Sequence, residues 1–261
     1  MNREEVLALY DEDRRQIHIF GMQREETPHI VRHISADGEG LIVYSDLDAA
    51  NADQVIDEEV SHFKGKGYDL TWLVCPHDRP TDLRERLLAH GFEPEEPEAV
   101  LVLDLQQVPP ALLGAVRHDV RRIDHPGQLD DAMAVREQVW QASFAGWRAR
   151  LAERLVKAPE TLSLYVAYVD GVPASTASIS YYAGGQFASL VGAATLPAYR
   201  RHGLFTALVE TLVQDARQHS VRFLDTEAQP MSRPILEKLG FQRLTTAFYF
   251  TLHAGAAPSA G

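Results

Sequence analysis

The strongest constraint on this chain is a pattern that occurs twice, about 150 residues apart. In the later copy a strand over 221–226 leads to a short helix that Ser232 can cap and that ends at Gly240-Phe241. A strand over 247–252 follows. In the earlier copy a strand over 68–74 leads to a helix near 82–90 ending at Gly91-Phe92, and a strand over 100–105 follows. Each glycine stands where a left-handed residue stops a helix. Amphipathic stripes precede both: Val55, Ile56, Val60 and Phe63 in one, Leu204, Leu208, Val209, Leu212, Val213 and Ala216 in the other. Two copies of one fold are expected in 261 residues. The boundaries fall at 1–105 and 115–253. Between them lies a linker, 106–114, centred on Pro109 and Pro110, and the small-residue tail 254–261 reads as disordered.

The later block parses further. Residues 130–142 and 146–157 have helical composition. Strands follow over 162–169, 174–182 and 187–194, with hairpin turns at Asp170-Gly171 and Gly184-Gly185. A loop, 195–202, then opens the helix that carries the Leu204 stripe. The order predicts an α+β fold, a mixed but mostly antiparallel sheet flanked by helices.

A content of 45% hydrophobic and 24% charged residues suits an ordinary packed core. The net charge of −12 excludes nucleic acid as a partner and favours a cationic amine as substrate. The N-terminus is charged, and no apolar run approaches the ~20 residues that span a bilayer, so no membrane partner and a cytoplasmic address are expected. Cys75 has no second cysteine and reads as an inert buried thiol. His29 and His33 have no cysteine or carboxylate at ligand spacing, so no metal is expected.

The chemistry is carried by the loop Pro197-Ala198-Tyr199-Arg200-Arg201-His202-Gly203-Leu204. A helix start has unpaired amides and a positive dipole end, which attract phosphate. Gly203 lets an anion approach the backbone, and Arg200 and Arg201 add charge for a pyrophosphate. Followed by Phe205 and preceded by Pro197, this loop resembles the cofactor loop of the GNAT acetyltransferase superfamily, Arg/Gln-x-x-Gly-x-Gly/Ala. Leu239-Gly240-Phe241 resembles that family's closing signature. The likeness covers about 140 residues and implies two GNAT-like domains, the second with splayed strands that hold acetyl-CoA.

The resemblance implies pantetheine contacts at Ala193, Ala194 and Thr195, and pyrophosphate contacts at Arg201, His202, Gly203, Leu204, Phe205 and Thr206, with Arg200 beside them. Gln229 fills the place of a further pantetheine contact. It implies transfer of an acetyl group to an amine of a small molecule or peptide, by a monomer or homodimer. The departures are Phe205 in place of a small residue, and Leu236 in place of the tyrosine that protonates the leaving thiolate. No carboxylate lies on the strand 187–194, so Glu227 is the remaining candidate base and Ser232 a candidate proton donor. Glu227 reads equally as a solvated strand-end charge. Trp140, Phe144 and Trp147 fall on one helical face, as core or as an acceptor wall. The first block lacks the loop: Asp46 and Asp48 stand there and would repel phosphate, which implies a degenerate copy without coenzyme. An acetyl-CoA-binding module with little or no turnover is the alternative reading.

Overall fold

The computed structural model describes residues 2–255, so 256–261 of the expected tail lie outside the described residues. The chain forms two compact units. One comprises 101–243 and the other 2–100 together with the segment from Leu244 onward. The units therefore divide differently from the sequence boundaries: the strand residues from 101 group with the later unit, and those from 244 with the earlier one. One is rich in Val and Leu and the other in Leu and Phe, and sequence order alone does not say which sheet such a strand completes.

The earlier unit contains α1 (Arg3–Gln16), β1 (Met22–Glu26), β2 (Ile30–Ser35), β3 (Glu39–Ser45), α2 (Ala52–Lys64), β4 (Asp69–Val74), α3 (Leu83–Ala89) and β5 (Glu93–Pro94). Strand β6 (Glu98–Asp104) begins in it and continues into the later unit. That later unit holds β7 (Asp119–Ile123), α4 (Leu129–Trp140), α5 (Ala145–Lys157), β8 (Leu162–Val169), β9 (Val172–Tyr181), β10 (Phe187–Thr195), α6 (Leu204–Ala216), β11 (Phe223–Ala228) and α7 (Arg233–Lys238). The last strand, β12 (Gln242–Leu252), belongs from residue 244 to the earlier unit.

In the earlier unit the strand order is β1-β2-β3-β4-β12, with β5 also paired to β12. Only β3 and β4 run parallel, and α2 connects them. The later unit follows the same logic in the order β6-β11-β10-β9-β8-β7. There β10 and β11 are parallel and joined by α6, while β7 to β10 pair antiparallel. A parallel pair needs a crossover connection, and a helix supplies it in each unit. Both units are thus mixed, mostly antiparallel sheets with helices, as the sequence pattern predicts.

The repeated helix stop holds in detail. Gly91 and Gly240 both have left-handed φ, +88° and +101°. Phe92 N donates to Leu87 O and Phe241 N to Leu236 O, each at 3.1 Å, the same six-residue closure at both helix ends. The α6 stripe is buried throughout, with Leu208, Val209, Leu212 and Val213 at 0% exposure. Each such side chain contributes about 1.5–3 kcal/mol. This anchors the helix whose first turn faces the loop. No helix among the described residues is long and apolar enough to cross a membrane.

Candidate active site

Strands β10 and β11 pair only at Phe187, Ala188 and Ser189 against Phe223, Leu224 and Asp225. Beyond that point no pairing joins them, so the sheet opens into a fork. The open arm of β10 carries a bulge: Val191 pairs with Ser178 and Ala194 with Thr176, which leaves Gly192 and Ala193 opposite the single residue Ala177. The carbonyls on either side are already engaged. Thr226 Oγ1 donates to Leu190 O at 2.9 Å, Ser178 Oγ to Val191 O at 3.1 Å and Ser175 Oγ to Ala194 O at 2.8 Å. Gly192 and Ala193, both half-buried, present strand backbone without a strand partner.

At the end of that arm the chain makes a 3-10 turn (Pro197–Tyr199) and then the loop. Arg201 and Gly203 both adopt left-handed φ, +64° and +81°. Such residues within a turn aim amides at one point and form a nest for anions. Gly203 caps α6, whose first turn holds no acidic residue. Ala207 N is bonded to Gly203 O, so the amides of Leu204, Phe205 and Thr206 precede the first helical bond. Arg200, Arg201, His202 and Gly203 are exposed, whereas Leu204 turns into the core. Phe205 is half-buried and helical, so its amide stays on the open turn. His118 holds the loop from one side, its Nε2 donating to His202 O at 2.9 Å.

The corresponding turn of the earlier unit is filled by its own carboxylate. Asp48 Oδ1 accepts from Ala50 N at 2.7 Å and from Asn51 N at 2.9 Å, at the start of α2. Asp53 adds a second negative charge to the first turn. An anion there would meet a negative side chain already seated on the amides.

The carboxylates of the fork lie on β11. Ser189 pairs with Ser180 on one side and Asp225 on the other, so these three share one sheet face, and Glu227 follows Asp225 on that face. Arg154 of α5 donates to Ser180 Oγ at 3.0 Å, which places this face under α4 and α5. Ser189 Oγ donates to the buried Asp225 carboxylate at 2.9 Å. Tyr182 is bonded to Ser189 and Ser180, and burial pushes its hydroxyl up, so it keeps its proton. Glu227 sits half-buried past the last paired residue, inside the fork. Tyr181 points to the opposite face and stacks on His219, ring centroids 3.9 Å apart.

The remaining candidates separate. Gln229 is exposed just beyond β11, and its carbonyl accepts from Ser232 N and Arg233 N at 3.1 and 3.0 Å. Ser232 does not cap α7 with its side chain; its Oγ donates instead to Gln229 O at 3.3 Å. Leu236 is 1% exposed and packs in the core, so this position fills volume here. The two expected helices do not run on into each other: α4 ends at Trp140 with Gln141 at φ +53°, so Trp140, Phe144 and Trp147 do not lie on one continuous helical face. The rings still meet, Trp140 to Phe144 at 5.6 Å and Phe144 to Trp147 at 6.3 Å between centroids. Phe144 and Trp147 pack against the core between α4, α5 and β8, while Trp140 remains 45% exposed.

The histidine pair of the earlier unit serves backbone. His33 Nε2 lies 3.1 Å from Ile17 O, His29 Nδ1 3.3 Å from Asp46 O, and burial brings His33 down to about 4. Cys75, His77 and Asp78 bring donor atoms within 4.8 Å of one another. The Asp78 carboxylate is, however, gripped by Arg14 at 3.0 and 3.1 Å and accepts Cys75 N at 2.8 Å. A guanidinium already supplies the positive charge a cation would bring.

Residues 130–241 match the Acetyltransferase (GNAT) family. Those residues are a GNAT-family domain. No curated protein matches the sequence. Among solved structures, a GCN5-related N-acetyltransferase from Kribbella flavida is similar over 96% of this chain and 95% of its own, with a TM-score of 0.71 and 13% identity. A conserved protein of unknown function from Staphylococcus epidermidis is similar over 90% of this chain and 95% of its own, with a TM-score of 0.66 and 12% identity. A tandem GNAT protein from the clavulanic acid biosynthesis pathway is similar over 98% of this chain and 89% of its own, with a TM-score of 0.60 and 15% identity. At such identities the likeness is one of fold.

Two features of the GNAT domain escape a sequence reading. Asp225 sits in an apolar strand, and only the register with Ser189 shows that it lies at the fork. Arg136, on α4, is 4% exposed although arginines are rarely buried without a partner. Its Nε and Nη2 have no hydrogen-bond partner among the described residues. Burial alone brings its guanidinium down to about 9, with no charged neighbour offsetting the shift, so it is still a cation at neutral pH. The odd signal in sequence is a charged residue at a position of α4 whose neighbours Met133 and Val135 are core.

Proposed function

We propose that the GNAT domain binds acetyl-CoA in the fork and transfers its acetyl group to an amine. The observation that carries this reading is the loop 200–206. Two left-handed residues, a helix start free of acidic groups and two exposed arginines converge at the mouth of the fork. In this reading the amides of Arg201 to Thr206 hold the pyrophosphate. The arm of β10 that β11 does not pair, at Ala193, Ala194 and Thr195, receives the pantetheine arm alongside it, and Gln229 contacts it from just beyond β11. A neutral amine attacks the thioester carbon, the C–N bond forms and the C–S bond breaks. Glu227, directly or through water, accepts the proton that the nitrogen loses. Coenzyme A leaves as a thiolate, which free thiols tolerate because their pKa is near ~8.5. Leu236 gives no proton to that sulfur.

The earlier unit, in the same reading, is a copy without coenzyme, because Asp48 occupies the loop amides just before its helix and Asp53 adds a negative charge to the first turn. Calorimetric titration with acetyl-CoA should therefore give one site per chain. Two equivalent sites would remove the reading of the earlier unit. A second function, coenzyme binding with little turnover, is favoured by one observation: Leu236 and Ser232 supply no proton donor of the usual kind.

A further inference from the structure

Arg136 is a buried cation in a cradle built for it. Its guanidinium carbon lies 3.6 Å from the centre of the Trp147 ring and 5.9 Å from that of Trp140. On the other side is the β10 bulge. A Cβ on Gly192 would overlap the guanidinium, and Gly192 also holds left-handed φ, +63°. The bulge glycine thus opens the space, on the unpaired arm of β10, that the arginine fills. Its two unpartnered nitrogens, Nε and Nη2, lie on one edge of the guanidinium plane. That edge can donate two parallel hydrogen bonds to the two oxygens of one carboxylate. A buried charge without a partner is costly, and such groups are retained where a ligand completes them.

We propose that Arg136 and the Gly192 bulge form a carboxylate-binding site, so that the acceptor is an amine that also carries a carboxylate, as an amino acid does. This deepens the acetyl-transfer reading and rests on it for the word acceptor. The ligand's charge follows from the site. The coenzyme's phosphates belong to the loop 200–206, and its thioester is neutral, so neither supplies an anion at Gly192. One buried cation with two enclosed, unpartnered nitrogens on one edge matches one negative charge in a planar group, whereas a phosphate dianion would call for further donors. Trp140, exposed, and Trp147, half-buried, give the carbon skeleton of the acceptor an aromatic rim.

The test uses the full chain saturated with coenzyme A. It is titrated calorimetrically with the standard L-amino acids, with the amines each would become on losing its carboxyl group, and with phosphoethanolamine. At least one amino acid should bind about tenfold or more tightly than its decarboxylated counterpart. Arg136→Met should erase that preference, Arg136→Lys should keep part of it, and both should bind coenzyme A as the wild type does. Because the methionine removes an unpaired buried charge, its Tm should be equal to or above the wild-type value. The proposal is overturned if no L-amino acid binds, if the decarboxylated amines bind as well, if phosphoethanolamine binds best, or if Arg136→Met keeps the preference. Thiol release from acetyl-CoA is read separately. Carboxylate-dependent binding without thiol release keeps this site and removes acetyl transfer; thiol release indifferent to carboxylate does the reverse.

Discussion

Replacing Arg200 with alanine and Gly203 with aspartate together should weaken acetyl-CoA binding about 100-fold or more in a protein that stays folded. The arginine's loss removes a charge-assisted contact worth about 1.5–3 kcal/mol. The aspartate places a negative group at the helix start where phosphate would sit, as Asp48 places one on the amides just before α2 in the earlier unit. Each 1.4 kcal/mol is tenfold, so the two effects together reach the stated range. The fold should survive for local reasons. A Cβ at Gly203 meets the His118 ring carbon at 3.3 Å, and that exposed side chain can give way. A single left-handed non-glycine residue costs about 1–2 kcal/mol. The core face of α6 is untouched. Calorimetry gives the affinity and a thermal melt checks the fold. Unchanged affinity in a folded double variant would show that phosphate binds elsewhere.

The second large effect concerns the base. Glu227→Gln should lower kcat by about 10²–10⁴-fold and leave acetyl-CoA affinity near its wild-type value. The substitution keeps the size of a half-buried side chain and removes only its ability to accept the amine's proton. Asp225→Asn is the informative comparison. That carboxylate is buried and already accepts from Ser189, so it serves as a fixed group behind the fork and its loss should act more weakly. Steady-state rates on one amine, with coenzyme affinity measured in parallel, separate the two. A full rate for Glu227→Gln with a collapsed rate for Asp225→Asn would move the base to Asp225.

Much of this fold is legible in the sequence because its signals are local. The α6 stripe repeats at 3.6 residues, Asp170-Gly171 marks its turn with φ +50° and +80°, and the two helix stops carry glycine followed by a buried phenylalanine. The loop 200–203 is equally local, since it is one helix start and its approach. What sequence hides is set by pairing. The bulge at Gly192 exists only relative to β9, and Asp225 reaches the fork only through its register with Ser189. The grouping of residues from 244 with the earlier unit likewise depends on β12 pairing with β4, Phe248 against Val74 through Leu252 against Leu70. The end of α4 at Trp140 lies close to the expected 142, although glutamine seldom takes the left-handed φ that Gln141 adopts there.

Acetyl transfer to an amine by the GNAT domain, as proposed, is read from the release of free coenzyme A thiol. The wild-type protein is mixed with acetyl-CoA and a panel of primary amines that includes the L-amino acids, with the Arg200→Ala, Gly203→Asp double variant as control. The expected result is amine-dependent thiol release by the wild type and none above background by the double variant. Tight acetyl-CoA binding by the wild type with no thiol release for any amine would contradict it and leave a coenzyme-binding module.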